Sequence, residues 1–111
     1  MSKSLNDIVF EAWTIAEDKG FHDGRTAGRD DTLLRLCLVH TEVSEASQVV
    51  KRHGVTPQSL PDIADELADV VIRVADLAGC LGIDLGKSVE AKLARNRERP
   101  HLYGTPQEGK S

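Results

Sequence analysis

Apolar residues recur along this chain at spacings of three and four, in four stretches separated by glycine, proline and aspartate. In the first stretch, from about Leu5 to Lys19, Leu5, Ile8, Val9, Ala12 and Ala16 share one helical face. Ser4 with Asp7 three residues later reads as a capping-box start, and Gly20 as a stop. The second stretch begins near Asp31 or Thr32 and ends at about His53, before Gly54. Its apolar set (Leu33, Leu34, Leu36, Cys37, Leu38, Val39, Val43, Ala46, Val49 and Val50) is so broad that other helices or a partner subunit must surround it. Ser59, with Pro61 and Asp62 in the first turn, opens the third. There Ile63, Leu67, Val70, Val74, Leu77 and Leu81 alternate spacings of four and three, as in a coiled-coil seam. Gly82 ends that helix, and Asp84 caps a fourth that runs to about Asn96.

No stretch alternates with period two for long, and Asp23-Gly24 sits in a polar loop rather than between two β-rich runs. The pattern therefore predicts an all-α domain of four helical segments over residues 1–99. The loop from Gly20 to Asp30 is long enough to invite a functional role. The tail from Pro100 to Ser111, with two glycines and two prolines, is expected to be flexible.

A chain of 111 residues suits one small domain, and at that size roughly 65% of the unfolded surface can be buried. Aromatics are only 4%, so the core must be built from Leu, Val, Ile and Ala. A net charge of −4, with no block of one sign, argues against a nucleic-acid polymer as partner but leaves a nucleotide open. Cys37 and Cys80 have apolar neighbours and no C-x-x-C spacing, which predicts buried thiols rather than a disulfide or zinc site. No secretory leader pattern or membrane-length apolar run is present, so a soluble, cytoplasmic protein with no membrane partner is expected.

Against this background two acidic pairs stand out, Glu42-x-x-Glu45 and Glu66-x-x-Asp69. At i, i+3 spacing both carboxylates of a pair leave nearly the same side of a helix. Glu42 and Glu45 share the angular sector of Leu38 and Val49, which should face other helices. An unpaired ionised carboxylate is costly to bury there. Carboxylates converging in a bundle repel by roughly 4 kcal/mol per pair at 4 Å and an effective dielectric of 20. A divalent cation reverses that sign, and an all-oxygen set suits Mg²⁺. A second reading applies to the later pair. Glu66 and Asp69 border their helix's apolar face in a stripe with Asp62, Arg73 and Asp76, and Asp69 to Arg73 is an i, i+4 ion-pair spacing. A solvated, salt-bridged face explains that stripe equally well.

The fourth helix presents Lys92, Asn96 and Arg99 on one side, an ammonium, an amide and a guanidinium that can meet phosphate or simply complement the helix C-terminus. There is no P-loop, no His-Glu-x-x-His, and neither His40 nor His53 follows a glutamate by three. His22 in the glycine-containing loop reads as a polar loop residue or a substrate contact, and Trp13 as core or a base-stacking platform.

The segments Leu38-Val-His-Thr-Glu42-Val-Ser-Glu45-Ala and Asp65-Glu66-Leu-Ala-Asp69-Val-Val, with Gly82-Ile-Asp-Leu and Lys92-x-x-x-Asn96-x-x-Arg99-Pro100, resemble the MazG-like family of all-α nucleoside triphosphate pyrophosphohydrolases. The likeness spans about Leu33 to Arg99. It implies a four-helix fold completed by homo-oligomerisation, as dimer or tetramer. It also implies Mg²⁺, with Mn²⁺ as substitute, held by Glu42, Glu45, Glu66 and Asp69. The implied reaction cleaves a (d)NTP between the α and β phosphates, with Glu42 or Glu45 acting on the attacking water. Lys92, Asn96 and Arg99 would bind the phosphates, and Trp13 and His22 are candidates for the base. Clearing unwanted nucleotides is the kind of role implied. Thr41 stands where many members carry a further glutamate, and phosphoribosyl-ATP pyrophosphohydrolases share similar pairs. The competing expectation is a non-catalytic helical dimerisation or nucleotide-sensing module.

Overall fold

The computed structural model describes residues 3–100, and these form four α-helices with no strand. They are α1 (Leu5–Asp18), α2 (Arg29–His53), α3 (Leu60–Leu81) and α4 (Leu85–Arg97). The all-α expectation is met; the tail after residue 100, expected to be flexible, lies outside the described residues.

Local chemistry explains most of the boundaries. At the start of α1 the Asp7 N–H donates to Ser4 Oγ at 3.1 Å, and the Ser4 N–H returns a bond to Asp7 Oδ2 at 3.3 Å. α2 begins at Arg29, two residues before the expected start. Gly28 is its N-cap, and Asp30 and Asp31 complement the dipole of an end without a side-chain cap. Ser59 departs from its expected role. Its buried hydroxyl donates to Gly54 O at 2.8 Å and accepts from the Thr56 N–H at 3.0 Å, tying the 54–59 turn together instead of capping α3. α3 ends in the left-handed turn at Gly82 (φ 69°), a conformation that glycine adopts without a Cβ penalty.

Asp84 caps α4 by accepting from the Lys87 N–H at 3.0 Å, and it also accepts from Asn6 Nδ2 at 2.8 Å. Asn6 Oδ1 takes the Gly86 N–H at 2.9 Å, so one amide joins the beginnings of α1 and α4. These bonds, the one from Asn6 first, hold the Asp84 carboxyl below its ordinary pKa.

α3 is the shared support: α1 and α2 each pack along it, and α4 rests on α1. The tightest contact uses small side chains. Ala75 and Ala78 of α3 meet Val9 and Ala12 of α1, with Ile8 and Leu85 against them. Trp13 of α1 lies over Gly79, where a built Cβ would stand 2.9 Å from the Trp13 Cβ and Cδ1 atoms.

The expected leucine seam of α3 is only partly inside. Leu77 is buried, whereas Leu67 is 54% exposed and Val74 and Leu81 are also exposed. The polar stripe behaves in the opposite way. Glu66, Asp69, Arg73, Asp76 and Cys80 are all half-buried, because α1 and α2 converge on that side of α3. On α2 the inner positions Leu38, Glu42, Ala46 and Val49 are half-buried, while Leu33, Leu34, Leu36, Val43 and Val50 face outward. Cys37 shares that outward side and is exposed, not buried as its neighbours in sequence suggested; Cys80 is half-buried, and both are free thiols.

Two outcomes test this account. A glycine-to-alanine change inside a helix ordinarily gains about 1 kcal/mol. Gly79→Ala should instead destabilise the protein, by about 1–3 kcal/mol in urea titration, because the methyl meets Trp13. Asp84→Asn keeps a capping oxygen and removes the charge. A carboxylate whose folded pKa is depressed stabilises fully above its unfolded pKa, and loses that contribution as pH falls through the folded value. Thermal melts should therefore show wild type ahead of Asp84→Asn at neutral pH and the gap closing as the solution is acidified through the carboxylate range.

Candidate metal centre

The packing of α2 on α3 brings together side chains that are more than twenty positions apart in sequence. One carboxylate oxygen from each of Glu42, Glu45 and Glu66 lies within 4.8 Å of the other two. Asp69, one turn beyond Glu66, stands beside this trio: it borders the same groove as Glu42 and Glu45, and its charge acts on Glu66. Arg73, one turn further along α3, donates from Nε to Glu42 Oε2 at 3.1 Å. The i, i+4 pairing with Asp69 that the spacing offers gives way to this bond between helices.

Glu66 is the most constrained of the four. Its Oε1 is shut off from solvent and has no hydrogen-bond partner. Burial raises its pKa first, and the neighbouring charges of Glu45, Asp69, Asp65 and Glu42 raise it further. A buried carboxylate oxygen without a donor, facing other carboxylates, is the environment that a cation relieves. The donor set is all oxygen, which fits a hard ion such as Mg²⁺.

The carboxylates lie between two grooves. The larger, of about 640 Å³, has Ile8, Ala12, Ile15 and Ala16 of α1 as its apolar wall, with Phe21 of the loop also lining it. Glu42 and Glu45 of α2 and Asp69, Ile72, Arg73 and Asp76 of α3 form the facing side. The second, of about 460 Å³, is polar and is lined by Glu45, Glu66, Asp65, Arg52 and His53 among others. Glu45 reaches both.

Trp13 and His22 lie apart from these walls. Their rings stack at a tilt, with centroids 5.4 Å apart. His22 is held between Glu17 Oε1 (2.7 Å from Nδ1) and Asp76 Oδ1 (2.8 Å from Nε2). Burial disfavours its charged form, but the bonds to Glu17 and Asp76 outweigh that and raise its pKa overall. Arg35, buried on α2, donates to Asp31 Oδ2 at 2.9 Å and approaches Asp76 Oδ2 with Nη1 at 3.5 Å. Arg25 completes the chain of charges with a 3.3 Å bond to Asp31, whose pKa is depressed chiefly by the bond from Arg35. The 19–28 loop is thereby fastened to α2 and α3.

Lys92, Asn96 and Arg99 line neither groove. Lys92 and Arg99 are exposed, and Asn96 is half-buried with its Oδ1 enclosed and without a hydrogen-bond partner. The groove residues that the pattern did not single out include Phe21, Ile15, Ile72, Lys3 and Glu11, and it did not foresee Arg73's link to Glu42. A bulky aromatic beside the glycines of the loop was the available signal for Phe21. Comparison of the chain with protein-family models, with curated proteins and with solved structures finds no match.

Glu66→Gln tests the electrostatics. A carboxyl whose pKa is raised on folding costs stability as pH climbs from its unfolded value through the folded one. The metal-free Glu66→Gln protein should therefore melt above wild type at neutral pH, with the two converging in acid. Adding Mg²⁺ should raise the wild-type Tm and leave the variant's unchanged.

Proposed function

We propose that this chain is a Mg²⁺-dependent nucleoside triphosphate pyrophosphohydrolase of the MazG-like kind, releasing pyrophosphate and a (deoxy)nucleoside monophosphate. The observation that carries the reading is the convergence of Glu42, Glu45 and Glu66 around an orphaned Glu66 oxygen, at the edge of an apolar-walled groove. Glu42, Glu45, Glu66 and Asp69 would hold the ion. When bound, Mg²⁺ supplies neutralisation of phosphate charge and a more acidic attacking water.

The remaining roles belong to the chain. Of the two candidate bases Glu45 is the better placed, since Glu42 is engaged by Arg73. Thr41 is no substitute, because its hydroxyl donates to Cys37 O at 3.1 Å within its own helix. Glu45 then orients the water for in-line attack on the α-phosphorus and takes its proton. Arg73 is the guanidinium already on the groove wall and can meet a phosphate bidentately as charge develops. Ile15, Ala16, Phe21 and Ile72 offer the apolar surface on which a base would rest.

Oligomerisation belongs to the same proposal. Leu33 (53%), Leu67 (54%) and Leu93 (58%) are exposed together with Leu34, Leu36, Val43 and Val71, more apolar surface than a lone helical domain usually leaves in water. A second copy would cover it. The phosphate-binding role of Lys92, Asn96 and Arg99 depends on that assembly, which would bring a neighbouring α4 to the groove.

The loss of an acidic residue at Thr41 favours, as second reading, a protein that binds the nucleotide without turning it over. Incubation with common and modified (d)NTPs, with and without Mg²⁺, separates the two by the appearance of pyrophosphate. Glu45→Gln should lower that release by about 10²–10⁴-fold, the usual contribution of a general base, with helical circular dichroism unchanged. Turnover at the wild-type rate in this variant removes Glu45 from the chemistry.

A further inference from the structure

We propose that His22, Asp76 and Cys80 form a second metal site, separate from the carboxylate centre and suited to a borderline-soft divalent cation such as Zn²⁺. Asp76 and Cys80 stand four residues apart on one face of α3, and His22 reaches them from the 19–28 loop. Their donor atoms form a small triangle: Nε2 to Oδ1 2.8 Å, Nε2 to Sγ 3.5 Å and Sγ to Oδ1 4.0 Å. A tetrahedral zinc ion with bonds of about 2.0–2.3 Å places its ligand atoms about 3.3–3.7 Å apart, so adjustments of roughly half an ångström complete the site. The mixed nitrogen, oxygen and sulfur set distinguishes it chemically from the all-oxygen centre of Glu42, Glu45 and Glu66.

The proton arrangement shows what an ion would replace. Glu17 Oε1 sits 2.7 Å from His22 Nδ1 and can only accept, so Nδ1 carries the proton. In a neutral imidazole the Nε2 lone pair would then point at the Asp76 carboxylate 2.8 Å away, acceptor against acceptor. In the metal-free protein a proton on Nε2 fills that place, in keeping with the raised pKa of His22, and the Cys80 thiol donates toward the same Asp76 oxygen. An ion would replace the proton and gain the sulfur as a further ligand. The surroundings match an outer shell: Glu17 fixes the histidine tautomer, and Arg35 Nη1, 3.5 Å from Asp76 Oδ2, leaves Oδ1 for the ion. On binding, the Cys80 thiol proton and any Nε2 proton pass to solvent. With the Asp76 carboxylate and the Cys80 thiolate the dication's charge is balanced. The ion would lock the loop to α3, and with it Phe21, which lines the large groove.

Co²⁺ titration of the full-length, metal-free protein tests this. Wild type should develop the near-ultraviolet thiolate-to-cobalt charge-transfer band, which equimolar Zn²⁺ removes and excess Mg²⁺ does not. Cys37→Ser, altered at the exposed thiol of α2, should keep the band; Cys80→Ser and His22→Gln, checked for intact helical circular dichroism, should lose it. Zn²⁺ should raise the Tm of wild type and not of Cys80→Ser. Cobalt binding without a charge-transfer band places the ion on carboxylates alone and overturns the proposal, as does a band that survives Cys80→Ser.

Discussion

The repulsion among carboxylates drawn into one place by the α2–α3 contact is the constraint on which the rest of this structure turns. Glu42 and Glu45 come from one helix and Glu66 from the next, and the packing of α2 on α3 brings them within 4.8 Å of one another. Ionised carboxylates this close repel one another, and the charges of Glu45 and Glu42 push the Glu66 pKa up. Arg73 offsets part of this by bonding Glu42, but Glu66 Oε1 has no such partner. A helix pair assembled for stability alone would place neutral or opposite charges there. In the proposed reading a bound cation offsets the repulsion that Arg73 leaves.

α3 organises that site and its neighbour along one line. Glu66, Asp69, Arg73, Asp76 and Cys80 follow one another at spacings of three and four, so a single helical stripe presents them in order to α2, to the groove and to the 19–28 loop. Small residues make this possible. Ala75, Ala78 and Gly79 let α1 approach closely enough that Trp13 lies on the α3 backbone and His22 reaches Asp76. A leucine-lined α1–α3 contact would hold the helices further apart and widen the groove.

The two faces of α3 share the interior, which their composition does not suggest: Ile63, Val70 and Leu77 of the apolar repeat stay inside. The charged stripe, which a solvated surface would explain, is half-buried between α1 and α2, whereas Leu67, Val74 and Leu81 of the leucine repeat stay exposed. The outward row of α2 is exposed in the same way. Apolar rows left uncovered on two helices at once have a common physical resolution in the proposed second copy, which would bury them in one interface.

Periodicity and punctuation were enough to determine the four helices, the capping box at Ser4, the cap at Asp84 and the stop at Gly82, because each depends on residues within a turn of one another. They also placed Glu42 and Glu45 on the inner sector of α2 with Leu38 and Val49; Leu38, Glu42 and Val49 are half-buried there, whereas Glu45, a turn further on, is exposed. The convergence of Glu66 on Glu42 and Glu45, the transfer of Arg73 from Asp69 to Glu42, and the capture of His22 by Asp76, 54 residues away, were decided only by tertiary structure. The reason is that helical spacing states which residues share a face, while the direction of that face follows from how closely neighbouring helices can approach. For α1 and α3 the approach was set by alanines and a glycine, whose lack of bulk leaves little trace in a hydrophobic pattern dominated by leucine and valine.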